Sequence, residues 1–303
     1  PMQWKMIHDV MKPRAKRVYF AGDDDQCIYS WMGVNVKDFL NASDNKTILH
    51  KSYRLPRSIH TIAEGMVSQL STRQEKVWMP KEESGVVVWH HDMLGLDLTS
   101  GEWLILARTN YIANKIATDL KEQGYLFWRE GSGWSISPNV LTGIEVWLKL
   151  CKGIHLSAKD LKTLSTLLKS DIVTKAGRKK LATLDSELTY NLESIRENFT
   201  TNVSAEMPWY DVLKVSERER IYISSVRRMG EKILTNKPRI KISTIHKAKG
   251  GEADNVALLL DSSKPCAESP DQDSEIRTFY VGATRAKKAL HIIESQSMYG
   301  FKI

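Results

Sequence analysis

The chain reads as an α/β protein: a parallel sheet with crossover helices, interrupted by a mostly helical inserted domain. Three observations predict this. Short aliphatic or β-branched runs bounded by turn residues, "GVVVWHH" and "EWLILAR", precede a strongly amphipathic helical stretch. Strand-like runs then become rare for about a hundred residues, far beyond an ordinary connecting loop. They resume at "PRIKISTIHKAKGGEADNVALLLD", where "IKISTI" and "NVALLLD" flank a polar loop.

Taken in order, "RVYFAGD" is a compact apolar strand and "KTILHKSYR" contains another. After "EWLILAR" comes "TNYIANKIATDLKEQGYLFWR". Thr109 or Asn110 can cap a helix there; Ile112, Ile116 and Leu120 form one face, and Gly124 can end it before "YLFW" begins a strand. Strand, capped helix and strand in so few residues is the grammar of a parallel sheet. "GSGWSISPN" is a loop. "SAKDLKTLSTLLKS" follows, with a serine cap, an acid three places on, and leucines at 161, 164, 167 and 168. "TKAGRKK" reads as a loop or a helix end, and "SERERIYISSVRRMGEKIL" as a helix. "DSEIRTFYVGATRAKKA" offers a further helix and "LHIIES" a last strand. No internal repeat or low-complexity tract is present.

Composition bounds the function. The 303 residues allow two domains, and no apolar run approaches membrane-spanning length. Cys27, Cys151 and Cys266 lie far apart without paired spacing, which argues against a disulfide framework or a zinc site. Lys and Arg number 44 against 36 acids, a net charge of +8 that favours a polyanionic partner. Exposed members of the nine tryptophans could stack on bases, although core positions account for most tryptophans.

Four constellations carry chemistry. In "VYFAGDDDQCIYSWMG", Asp23 to Asp25 and Gln26 fall at the C-terminal end of a strand, where open α/β sheets bind ligands. A neutral amide there can bond both a phosphate oxygen and a water. Tyr29 and Trp31, two apart, would project the same way from an extended segment and make a base-stacking platform. An acidic turn with a core Trp31 is the bland alternative. A metal site is another, but adjacent acids cannot all face one ion. The second constellation is "HKSYRLPRSI", with Arg54 just beyond a strand. The third, "STIHKAKGGEAD", gathers Thr244, His246, Lys249, Gly250, Gly251 and Glu252 in one loop, where paired glycines admit a ligand close to the backbone. The fourth is "RTFYVGATRAKKAL", with Arg277 and Arg285 two helical turns apart and so on one face, where an arginine could brace a transferring phosphoryl group.

In this order the four segments resemble the later motifs of superfamily-one helicases of the UvrD/Rep/PcrA type. "GDDDQCIYSWMG" resembles the third motif, "SYRLPRSI" the fourth, "ISTIHKAKGGEADNV" the fifth and "FYVGATRAKKAL" the sixth. "ARTN" resembles the short element following the fourth. The resemblance implies RecA-like motor domains. Residues 1–44 would be the end of the first, 45–130 and 238–303 the two parts of the second, and 131–237 a helical accessory insertion.

It implies that Gln26 senses the terminal phosphate or its attacking water, and that Arg54 and Arg285 are arginine fingers. Glu252 would reach the nucleotide's ribose, with Lys249 and Gly250 shaping that loop. Tyr29 and Trp31 would stack on single-stranded DNA, and Thr244, His246, Arg108, Thr109 and Asn110 would touch its backbone. The implied partners are single-stranded DNA and duplex junctions, in a 3′ to 5′ ATP-driven translocase of a bacterial or phage-infected cytoplasm, with no membrane.

The sequence departs from that family in one large respect. It contains no G-x-x-x-x-G-K-[ST] loop and no Asp-Glu pair. Both belong upstream of the third motif, so the expectation is a fragment. ATP and Mg²⁺ would act in the full-length protein, completed by an N-terminal motor domain of the same chain. The fragment alone would bind neither, would have no metal ligands of its own and would lack ATPase activity. Residues 2–10 and 18–20 would be loosely held, or covered by a neighbouring molecule. A non-catalytic nucleic-acid-binding or regulatory module with a helicase-like fold is the alternative function. The presence of Gln26, Arg54, Glu252 and Arg285 speaks against it. A metal nuclease built on the aspartate run is a third reading.

Overall fold

The computed structural model describes residues 2–200, 203–230 and 238–303. The chain divides into two compact units. One comprises residues 1–117, 129–131 and 239–303, and the other residues 118–128 and 132–238.

The first unit is built on five strands that pair entirely in parallel, in the order Val86–His90, Ala286–Ile293, Ala253–Leu259, Trp103–Ala107, Ile240–Thr244. The central strand Trp103–Ala107 is buried at every position. Such continuous burial is what a parallel sheet covered on both faces requires, and it explains why "WLILA" shows no alternation. Helices Arg57–Val67 and Gln272–Ala283 pack over the sheet. The core joins Ile59 and Met66 with Leu106, Leu258, Phe279 and Leu290. Each such side chain contributes about 1.5–3 kcal/mol by leaving water.

Helix Asn110–Glu122 follows Trp103–Ala107 as its pattern predicts. Thr109 Oγ1 accepts from the Ile112 amide at 3.3 Å. Gly124, at φ +82°, provides the left-handed residue beyond its end.

The second unit is mostly helical: Pro138–Cys151, Ala158–Leu167, Lys175–Ala182, Leu192–Asn198, Trp209–Val212 and Glu217–Arg228. A two-residue antiparallel pair, Leu156–Ser157 with Thr189–Tyr190, is added to these. Trp147 is buried at its centre and donates its indole N–H to the Met207 carbonyl at 3.0 Å. Ser157 caps its helix as expected, and Ser216 with Glu219 forms a reciprocal capping box. The predicted continuation of that last helix over 231–234, and the end of the inserted block at 237, lie outside the described residues.

Several expectations are corrected. "RVYFAGD" forms no strand: no described segment pairs with it, and Tyr19 is exposed. An apolar run without a ladder partner cannot satisfy its backbone as a strand. "KTILHKSYR" forms only an isolated bridge between Lys51 and Met79, so neither the acidic turn nor Arg54 follows a strand. "TKAGRKK" is helical, because Thr174 Oγ1 accepts from the Gly177 amide at 2.8 Å and Gly177 admits the backbone of Phe199 where a side chain would collide. The helix expected to carry both Arg277 and Arg285 ends at Ala283. "AKKALHII" from Ala286 is strand instead, claimed by ladders with the neighbours on both sides. Among the described residues no helix is long and apolar enough to cross a membrane.

Candidate functional site

The three aspartates occupy a 3-10 turn, Asp24–Gln26, capped by Asp23, whose carboxylate accepts from the Asp25 amide. Asp24 and Asp25 are buried, which demands compensating charge. Lys76 supplies it. Its ammonium lies 2.9 Å from Asp23 Oδ1, 2.6 Å from Asp24 Oδ1 and 2.9 Å from Asp25 Oδ2. Arg73 adds a fork onto Asp25, its Nε at 3.0 and 3.1 Å from the two oxygens. The Gln74 amide donates to Asp24 Oδ2 at 2.7 Å. Arg277 donates to the carbonyls of Asp24 and Thr72, so this buried arginine braces the turn from the Gln272–Ala283 helix.

Protonation follows from these contacts. Burial opposes the charge of Asp23, but Lys76, by charge and hydrogen bond, outweighs it and holds the carboxyl below its usual range. At Asp25 burial prevails over Arg73 and Lys76, and the carboxyl is pushed up. Burial likewise works against the Lys76 ammonium, and the carboxylates override it, raising its pKa. The ligand atoms of Asp23, Asp24 and Asp25 lie within 4.8 Å of one another. Lys76 contacts all three, and its ammonium does the work a divalent cation would do, so this set does not fit Mg²⁺. Arg73 and Lys76 were missed by the sequence reading. Their signal is the R-x-x-K spacing in "TRQEK", two cations facing a demand set about fifty residues earlier.

Beside this turn, Gln26 meets Arg285. The Gln26 amide donates from Nε2 to Asp23 Oδ2 at 2.6 Å, and its Oε1 accepts from Arg285 at 3.4 Å. Arg285 is almost wholly buried and also donates to the Val281 carbonyl, the Gly251 carbonyl and Thr284 Oγ1. Burial, together with the nearby positive charge of Arg54, pushes Arg285 down to about 10, so it stays protonated at neutral pH. Arg54 lies 4.0 Å from Glu252 Oε2, and its Nε is buried without a hydrogen-bond partner. Two guanidiniums within electrostatic reach, one with an orphaned donor, form a cradle suited to an anion. Gly250, at φ +89°, has open space where a side chain would project. Lys249 donates to the Gln26 carbonyl at 2.7 Å, and burial, with Arg285 acting in the same direction, lowers its pKa.

A second cluster is aromatic. Tyr29 donates to the His246 carbonyl at 3.0 Å, and its ring lies 6.3 Å from Trp31 and 6.0 Å from His246. Lys249 Nζ stands 5.1 Å from the Tyr29 ring centroid. Trp31 is 71% exposed. The extended segment expected for these rings is not what forms. Ser30–Met32 is a 3-10 turn, and the two rings meet edge to face at 66°. Trp31 therefore offers an open ring while Tyr29 is fixed beside it.

Arg108 is not an open phosphate ligand. It is largely buried and holds Glu275 through two bonds, 2.7 Å from Nε and 2.5 Å from the terminal nitrogen. Burial, then the charge of Arg108, lowers the pKa of His246 and keeps its ring neutral at neutral pH. Thr244 is buried, with Oγ1 accepting from the Lys247 amide; Thr109 is the helix cap, and Asn110 is exposed.

Residues 156–297 match the family model for the UvrD-like helicase C-terminal domain. No curated protein matches the chain. The UvrD-like span includes Thr244, His246, Lys249, Gly250, Glu252 and Arg285, and most of the helical unit. Gln26, Tyr29, Trp31, Arg54, Arg73, Lys76 and Arg108 lie before it, and the fold brings Gln26 and Arg54 to the UvrD-like Arg285. The match supports a helicase-like C-terminal module, a class that points to nucleic-acid binding.

Proposed function

We propose that the chain is the C-terminal portion of an ATP-dependent DNA helicase that translocates 3′ to 5′. Gln26, Arg54 and Arg285 face the terminal phosphate of a bound nucleotide, and Glu252, Lys249 and Gly250 border its sugar. Tyr29 and Trp31 stack on single-stranded DNA beside His246. The observation that carries this reading is the joining of Gln26 to Arg285, with Arg54 held near and its Nε lacking a partner. An arginine pair whose charges repel is stabilised by an anion, and a phosphoryl group in transfer spreads its charge over oxygens that guanidiniums match.

Lys249 supplies the coupling. It bonds the Gln26 carbonyl and faces the Tyr29 ring, so one side chain touches both the phosphate-facing residue and the stacking cluster. ATP fits the cationic cradle as substrate. Magnesium, when bound, shields phosphate charge, and its ligands are not the Asp23–Asp25 set. The helical unit serves as the accessory domain. The test is displacement by the full-length protein of the short strand from a duplex with a 3′ single-stranded tail. ATP-dependent displacement is expected; displacement without ATP, or from 5′-tailed duplexes alone, would overturn the reading.

A further inference from the structure

Gln26 sits between two partners of opposite chemistry. A carboxylate only accepts hydrogen bonds and a guanidinium only donates them. Asp23 Oδ2 at 2.6 Å must therefore face the amide nitrogen of Gln26, and Arg285 at 3.4 Å must face its oxygen. The other oxygen of Asp23 takes the Lys76 ammonium at 2.9 Å and the Asp25 amide at 3.2 Å. We propose that Asp23, anchored by Lys76, is a positioning residue that holds the Gln26 amide with its oxygen toward the Arg54 and Arg285 cradle. This rests on the motor reading and assigns how its phosphate-facing amide is aimed.

The orientation matters chemically. An amide oxygen aimed at the cradle accepts a hydrogen from the attacking water and directs that water's lone pair at the terminal phosphorus. The water oxygen bonds to phosphorus, the bond from phosphorus to the bridging oxygen breaks, and the departing proton goes to the phosphate product. With the amide reversed, its NH₂ would face the Arg285 donors, and the water would meet a donor instead of an acceptor.

Asp23→Asn tests this because it keeps the shape. Lys76 and the Asp25 amide are both donors, so they claim the single Asn oxygen. The Asn NH₂ is then left facing Gln26, and the amide must reverse. Asp23→Glu is longer but keeps an acceptor-only group. In the full-length protein, Asp23→Asn should lower kcat for DNA-stimulated ATP hydrolysis by about 10²-fold, the scale of a misplaced reacting group. KM and single-stranded DNA affinity should hold. Asp23→Glu should keep more activity than Asp23→Asn, reversing the rank that shape alone predicts.

Gln26→Ala distinguishes failure of the motor reading from failure of the positioning role of Asp23. If it leaves kcat unchanged, the motor reading itself is wrong. If it lowers kcat while Asp23→Asn does not, only the positioning proposal is overturned. An independent measurement needs no folded variant of Asp23. The Gln26 side-chain NH₂ signals of the wild-type chain, assigned by their loss in Gln26→Ala, should show one proton shifted downfield by the carboxylate. An unshifted pair overturns the proposal.

Discussion

Arg285 reaches the amide oxygen of Gln26 at 3.4 Å, joining side chains 259 positions apart, and burial, then the charge of a second guanidinium, that of Arg54, depresses its pKa. The fold achieves this by placing Arg285 between the end of helix Gln272–Ala283 and the start of strand Ala286–Ile293. Its bonds to Val281, Gly251 and Thr284 fix the guanidinium in place.

Removing the ammonium at the centre of the aspartate turn should be costly. Lys76→Met leaves buried carboxylates facing one another, and breaking a buried pair in this way costs about 3–5 kcal/mol. Urea denaturation of the isolated chain measures it. Equal midpoints for wild type and variant would mean that the ammonium contributes nothing.

The Arg108–Glu275 fork should behave as a coupled unit. Arg108→Ala and Glu275→Ala should each destabilise by about 3–5 kcal/mol, with the double variant well short of the sum. Strict additivity would show that the two side chains do not interact. DNA affinity should follow stability here, because Arg108 is held internally.

Trp31 offers an open ring beside the fixed Tyr29. Trp31→Ala should weaken single-stranded DNA binding by about 1–3 kcal/mol, the worth of one stacked base. Fluorescence anisotropy with a labelled oligonucleotide reads this. Unchanged affinity would remove the stacking assignment.

Stability should fall as the pH drops below 6.5. The pKa values of His246 and His291 are both lowered from 6.5, His246 by burial and the Arg108 charge, His291 by burial and His90. Below pH 6.5 the unfolded chain binds protons that the folded chain refuses, so stability declines until the folded values are reached. His291→Gln should flatten the dependence of the urea midpoint on pH. A slope unchanged in that variant would contradict the assignment.

Much of the architecture was legible because it is written locally. Thr109 and Ser157 are capping residues whose signal spans one turn, and "WLILA" is a buried strand by composition alone. The misreadings share a cause. "ATRAKKA" is rich in good helix formers, yet pairing with strands on both sides overrides that preference from Ala286 on. "RVYFAGD" has strand composition, but composition does not provide a partner. Gln26, Arg54 and Arg285, which the fold brings together, were legible as candidates in their motifs, whereas the cations Arg73 and Lys76 were not. Lys76 answers Asp23 from 53 residues away, and no periodicity records an ion pair at that range.

The central claim is that Arg285 serves a phosphoryl group and not the fold alone. Its direct test is steady-state ATP hydrolysis by full-length protein carrying Arg285→Ala, beside equilibrium binding of the nucleotide. The account predicts a fall in kcat of about 10³-fold or more, the scale of a lost arginine finger, with nucleotide affinity largely kept. Undiminished turnover by a stably folded variant would contradict it.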